Sequence, residues 1–396
     1  VYDVVLLTLG SDRDASGGAC GSGGCCGAAP QEGAGPTAAG ASDGTTTDAD
    51  APASGTTAGA PASGTTASGT TADAPASGAT HDACAPAGGA TADACAAGDA
   101  TADGRCDTPR VPVLACADAL TARGARVETV TARSDAEIDQ VLARFDGPPR
   151  PDGLTWPDPD SKARLVVAAA SDAQLRAVVR RLVRRYAPPP SRRPDDLPGN
   201  RTVPDLPPIG VLPLDPAGST THRDLAAQLG LPRDPAAVAA AVLDGTPRRL
   251  DLLRNDGGSV TLDGALLGAA DDSGRPLHWR GRVEVDDAVL SNGDDPLLAC
   301  AIGNAGGYAR LDDVALLGDP DPTDGLVEVA VAVPVVTRSA LGRKRVRLEV
   351  RRARGRAVAV LPREGKVPFL DDGAEGELSR KRSWWTEPGA WAVWAG

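Results

Sequence analysis

Methionine is absent from this 396-residue chain, and only two Phe and three Tyr occur. Any packed core must therefore rest on Leu, Val, Ala and six Trp. A larger gap lies inside the chain. Between Leu9 and Val111 there is no Val, Ile, Leu, Phe, Trp or Tyr. Such a tract cannot bury enough apolar surface to offset the entropy of ordering it, so residues 10–110 read as a disordered or mobile insertion. Long apolar runs are missing as well. Nothing approaches the ~20 residues needed to span a bilayer. The run Val4 to Leu9 is too short for the apolar region of a secretory signal. The expected location is cytoplasmic, with peripheral membrane contact compatible with it.

The insertion also holds most of the charge. It carries twelve acidic and three basic residues, against a net charge of −12 for the whole chain. The acidity therefore says little about the partners of the remainder, and no nucleic-acid partner is expected. Within the tract Ala-Pro-Ala-Ser-Gly-Thr-Thr-Ala occurs at Ala51–Ala58 and again at Ala60–Ala67. That period is too short and polar for a solenoid and reads as flexible spacer. Cys20, Cys25 and Cys26 sit in a Gly-rich loop at its start. Thiolates suit Zn or Fe–S ligation, but the spacing is not CxxC, and Cys84, Cys95 and Cys106 follow at irregular gaps. A reduced, exposed cysteine loop is expected, with a metal or redox role for the three thiols as the alternative.

The remainder alternates strand and helix signals. Tyr2–Leu9 is a short buried strand, and Val113–Leu120 begins a helix that closes at Gly124. Arg126–Val130 is a strand, and Ser134 caps a helix over Asp135–Arg144. Leu165–Ala169 is a buried strand followed by a helix that Ser171 can cap, with Leu175, Val178, Val179 and Leu182 on one side. Ile209–Leu214 is another strand. Asp224–Leu229 then forms a helix ended by Gly230 and Pro232, and Asp234 caps the next, with Pro235 at its first position. Beyond Arg249 the pattern becomes strand-rich: Ser259–Leu262, Arg282–Leu290, Leu297–Ala305, Leu326–Pro334, Arg345–Arg351 and Ala357–Leu361. In the tail, Arg380 to Trp394, basic residues adjoin Trp. That suits a membrane interface or a stacked ligand, or a last sandwich strand with Trp391 and Val393 inward.

Two stretches carry a resemblance. Ile209-Gly-Val-Leu-Pro-Leu214, Asp224-Leu-Ala-Ala-Gln-Leu-Gly-Leu-Pro232 and Arg248-Arg-Leu-Asp-Leu252 are similar, in that order, to the catalytic domain of the diacylglycerol kinase and bacterial lipid kinase family, relatives of sphingosine and NAD kinases. Downstream, Ala301-Ile-Gly-Asn-Ala-Gly-Gly-Tyr308 and Asp319-Pro-Asp-Pro-Thr-Asp-Gly-Leu-Val-Glu328 resemble that family's "VANGRYYGGG" and "PDDGLLDV". The resemblance implies an NAD kinase-like, Rossmann-like α/β lobe followed by a C-terminal antiparallel β-sandwich, with a ligand held between the lobes. The corresponding division is 1–9 as first strand, 10–110 as insertion, 111–252 as nucleotide-binding lobe and 253–396 as lipid-binding lobe.

Both phosphate loops depart from the family pattern. The family's "GGDGT" falls on Ala170, Ser171, Asp172, Ala173 and Gln174, keeping the Asp and losing every Gly. Its "GTGND" falls on Thr220–Asp224, where Thr221 and Asp224 match. Glycines there let the backbone approach phosphate, and added Cβ atoms crowd that approach. The resemblance implies ATP and Mg²⁺ as cofactors, with Asp172 and Asp224 organising them. Asp324, matching the family's catalytic acid, is the candidate general base; as a residue alone it reads as a turn Asp. Three functions follow: a lipid kinase phosphorylating a diacylglycerol-like hydroxyl, a non-catalytic relative binding a lipid or protein partner, and a thiol or metal sensor on the same scaffold.

Overall fold

A computed structural model describes residues 1–10, 110–215, 224–268, 270, 276–306, 310–311, 314–338 and 344–396. Thr221, Cys20, Cys25 and Cys26 lie outside the described residues, as does the low-complexity tract. Strand β1 (Asp3–Leu9) is apolar along most of its length, and its residues Val4 to Leu9 are buried. Helix α1 (Arg110–Ala122) ends before Gly124, whose φ of +87° a side chain would strain. Strand β2 (Arg126–Ala132) follows. Helix α2 (Asp135–Leu142) starts where the Ser134 hydroxyl accepts the Glu137 N–H.

Strand β3 (Ala163–Ala169) leads into α3 (Asp172–Tyr186), whose buried stripe holds Leu175, Val178, Val179, Leu182 and Val183. Ser171 occupies the cap position without capping. The Gln174 side chain instead accepts the Ala170 N–H at 2.9 Å, and Ser171 makes no side-chain cap bond. Strand β4 (Ile209–Pro213) precedes the one-turn α4 (Leu225–Gln228) and α5 (Pro235–Asp244). Asp224 and Asp234 cap those helices through the N–H groups of Ala227 and Ala237. β1 to β4 pair in parallel in the order β2-β1-β3-β4, covered by α1 and α5 on one face and α2 and α3 on the other.

The rest is antiparallel, apart from the last strand, which pairs with β4 in parallel. β5 (Thr246–Asn255), β6 (Val260–Thr261), β7 (Gly264–Leu267), β8 (Gly281–Val285) and β9 (Ala288–Asn292) are followed by β10 (Ala299–Gly303), β11 (Arg310–Leu311) and β12 (Val314–Ala315). The last six are β13 (Val327–Arg338), β14 (Lys344–Gly355), β15 (Ala357–Pro362), β16 (Val367–Asp371), β17 (Ala374–Leu378) and β18 (Arg382–Ala395). Arg282–Leu290, expected as one strand, is a hairpin: the chain reverses at Asp286, a non-glycine residue with φ +46°. Asp286 holds that turn through its carboxylate, which accepts the Arg356 and Ala357 N–H groups.

β18 joins the two parts. It lies between β4 and β15, so one sheet runs β2-β1-β3-β4-β18-β15-β8-β9, with β5 also on β18. A second, separate antiparallel sheet has the order β14-β13-β10-β7-β16-β17. Val283, Val285 and Val360 of the first sheet meet Leu267, Ile302 and Val329 of the second in one core. The α/β lobe and the antiparallel sheet expected from the sequence are both present.

β7 and β10 meet at two glycines, Gly264 opposite Gly303. A Cβ on Gly264 would sit 2.7 Å from the Ile302 carbonyl oxygen, which is sheet backbone and cannot swing aside. Gly264→Ala is expected to cost about 1–3 kcal/mol by urea denaturation, as overpacking does. A cost within ±0.5 kcal/mol would mean the two strands separate freely there.

Candidate functional site

A cleft of about 310 Å³ lies where β3 and β4 end. In parallel α/β sheets this carboxyl edge is where ligands bind. Ala170, Ser171 and Asp172 line it from the turn into α3, and Asp224 lines it from the cap of α4. The structure thus brings these four expected residues together. Ala173 and Gln174 belong to the first turn of α3, where the Gln174 amide holds the turn closed, and neither lines the cleft. Leu175, Val211, Pro213, Leu225, Leu231 and Leu370 make most of the remaining wall.

Several polar groups of the cleft are bonded within the chain itself. The Asp172 carboxylate, in a residue only 9% exposed, accepts the Leu225 N–H at 3.1 and 3.3 Å. The Asp224 carboxylate accepts the Ala227 N–H at 2.7 Å and pairs with Arg233. The Ala170 N–H is taken by Gln174. These are amides that a helix start or tight turn would otherwise offer to an anion. No described residue lining the cleft is cationic, while three carboxylates do line it: Asp172, Asp215 and Asp224. Among the described residues no three His, Cys, Asp or Glu groups converge to hold a metal ion. The described wall is thus mostly apolar, and its charged groups are carboxylates, the ligand type that Mg²⁺ takes together with phosphate oxygens.

Asp324 does not line this cleft. It sits in the turn before β13, where its carboxylate accepts the Leu326 N–H at 2.8 Å and pairs with Arg354. Its neighbour is a residue the sequence reading passed over, Asp251 of β5. The Asp251 carboxylate accepts the Gly325 N–H at 2.6 Å and the Gly389 N–H at 2.8 Å. Burial raises its pKa, partly offset by those two N–H donors, and the charges of Asp324 and Asp321 add to the rise. A charged residue between Leu250 and Leu252 in a buried strand was the available signal.

A second unforeseen cluster borders the cleft. Leu370 and Gly373, which line it, flank the buried pair Asp371 and Asp372. Arg176 of α3 reaches Asp371 at 2.9 Å and Asp372 at 3.8 Å. The Thr261 hydroxyl donates to Asp371, and the N–H groups of Leu262, Asp263 and Gly264 donate to Asp372. α3 is thereby tied to the β16–β17 turn across the cleft. The two described cysteines are chemically quiet: burial pushes the thiols of Cys116 and Cys300 up to about 11 and about 12. No described helix is long and apolar enough to cross a membrane.

No family model matches the chain, and no curated protein matches its sequence. Solved structures do resemble it. One, from Bacillus anthracis str. Sterne and assigned as a diacylglycerol kinase, superposes with a TM-score of 0.50 at 11% identity, over 72% of this chain and 92% of that one. Another from the same organism, a diacylglycerol kinase, gives 0.48 at 11% identity, over 72% and 91%. At that identity the likeness is one of fold, and the fold is diacylglycerol kinase-like.

Proposed function

We propose that this chain uses a diacylglycerol kinase-like scaffold to bind a small lipid-like ligand in the cleft beyond β3 and β4, without phosphoryl transfer. One observation carries the reading. Three amides at this edge, those of Ala170, Leu225 and Ala227, are already occupied by the Gln174 side chain and by the carboxylates of Asp172 and Asp224. Phosphoryl transfer depends on positioning and charge neutralisation. A triphosphate entering here would have to displace bonded carboxylates and then face them. The apolar wall and a volume of about 310 Å³, near the lower end of the ~300–1,000 Å³ range for ligand pockets, suit one end of an acyl glycerol better.

Calorimetry on the whole chain tests this. With Mg²⁺ present, no ATP binding is expected at millimolar nucleotide, and micromolar binding of dihexanoylglycerol is expected. Micromolar ATP binding that Asp172→Ala abolishes would return the kinase reading, with Asp324 as the base to examine next. Binding of neither ligand would remove the cleft as a ligand site.

A further inference from the structure

A second and larger cleft, of about 830 Å³, lies at the opposite edge of the same sheet, where β1, β3 and β4 begin. β3 separates the two clefts by about 20 Å, its seven residues rising ~3.3 Å each. Tyr2, Phe145, Trp156 and Trp394 line it, four of the eleven aromatic side chains in the sequence. Prolines before β4 and Pro247 at the start of β5 add further flat, rigid wall. A chain this poor in aromatics has concentrated them here. Part of that surface is already used: the Arg164 guanidinium lies 3.7 Å from the Tyr2 ring and 4.1 Å from the Trp394 ring.

Arg201 and Arg249 both pair with Asp205, so two guanidiniums share one carboxylate. Arg201 is only 9% exposed, and Asp205 engages its Nη1. Its Nε and Nη2 are buried and without a hydrogen-bond partner. That side of a guanidinium presents two parallel N–H groups, the arrangement that accepts one carboxylate or phosphate in a bidentate pair. The indole N–H groups of Trp156 and Trp394 are likewise buried and unpartnered. The buried unpartnered polar atoms here are all donors, and the carboxylates of Asp158, Asp160, Asp196 and Asp205 also line the cleft. At the mouth, half-buried Asp158 accepts the Asp160 N–H, and the exposed Lys162 stands beside them. Buried donors without acceptors cost free energy, and native structures carry few of them.

We propose that this cleft is a second ligand site, taking a flat aromatic anion whose acid group bonds to Arg201 and whose ring lies among Trp156, Tyr2 and Trp394. The unpartnered Nε–Nη2 side of Arg201 selects an acid group over a neutral molecule. The aromatic and proline walls select a planar body over a flexible chain. The site is independent of the cleft beyond β3 and β4 and of any reading of that cleft.

The test uses 8-anilinonaphthalene-1-sulfonate, an aromatic anion, and the uncharged N-phenyl-1-naphthylamine, which has the same rings. Saturable one-to-one binding of the sulfonate at micromolar concentration is expected, with the neutral dye at least tenfold weaker. Arg201→Gln should weaken the sulfonate about 10- to 100-fold, the range for a lost hydrogen bond to a charged group. Trp156→Ala should weaken both dyes. Because Arg201 is buried, Arg249→Gln serves as a second charge variant, lowering sulfonate binding several-fold while sparing the neutral dye. Equal affinity for the two dyes, or sulfonate binding unchanged in the charge variants, would overturn the proposal.

Discussion

Arg176→Met is expected to destabilise the protein by about 3–5 kcal/mol at neutral pH, the cost of leaving buried charge unpaired. Arg176 is 16% exposed and is the cation in contact with two fully buried carboxylates, Asp371 and Asp372. It also donates to the Val260 carbonyl and to the Ser259 hydroxyl, both at 2.7 Å. Methionine keeps the stem and removes the charge, so the loss reports electrostatics more than packing.

The pH dependence gives the sharper test. Burial raises the pKa of both carboxyls, and the charge of Asp371 pushes Asp372 up further, while Arg176 opposes both shifts. A carboxyl raised on folding is held protonated more readily in the folded state. Its contribution to stability is therefore full below the ordinary Asp value of about 3.9 and is lost as pH rises through the folded value. Without Arg176 both carboxyls rise further, so the cost of the substitution should be larger at pH 8 than at pH 5. Urea denaturation of both proteins at the two pH values decides it. An equal or smaller cost at pH 8 would show that Arg176 acts through packing alone.

Trp391→Ala should cost a similar amount, about 3–5 kcal/mol, as a large buried aromatic truncated to a methyl group. Trp391 is 1% exposed at the centre of the main core, and its indole N–H donates to the Asp251 carbonyl at 2.9 Å. Asp251 in turn holds Gly389 beside that Trp and Gly325 beside Asp324. Truncation should therefore also loosen the Asp324 turn, read as faster amide exchange at Gly325. Trp391→Phe should recover more than half of the stability. A thermal midpoint unchanged by Trp391→Ala would mean that β18 contributes little to the joint between the sheets.

Much of the local structure was legible because its causes are local. Apolar runs at β1, β3 and β4 announced buried strands, and Asp224 and Asp234 announced helix starts through their short side chains. Ser171 is the instructive exception. Its type and position suit a cap, yet its hydroxyl caps nothing, and Gln174 reaches back to bond the Ala170 N–H instead. Which polar side chain closes a first turn depends on its rotamer, and local pattern does not record that. The Asp286 turn went unread because aspartate at positive φ is uncommon, and nothing in the alternation of Val283, Val285 and Val289 marks the reversal.

The sequence by itself determined the element types, the lack of large apolar side chains between Leu9 and Val111, and the lack of glycine over Ala170–Gln174 and Thr220–Asp224. Each follows from side-chain size, polarity or backbone freedom, which travel with the residue. Tertiary structure alone decided that β18 would lie between β4 and β15, that Arg176 would meet a carboxylate 195 residues away, and that Asp172 would spend its oxygens on Leu225. It also brought Tyr2, Trp156, Trp394 and Arg201 to one cleft at the far edge of the sheet. Those are pairings between distant segments, and a buried charge or donor is satisfied by whatever the fold brings within about 3 Å of it, which no local pattern records.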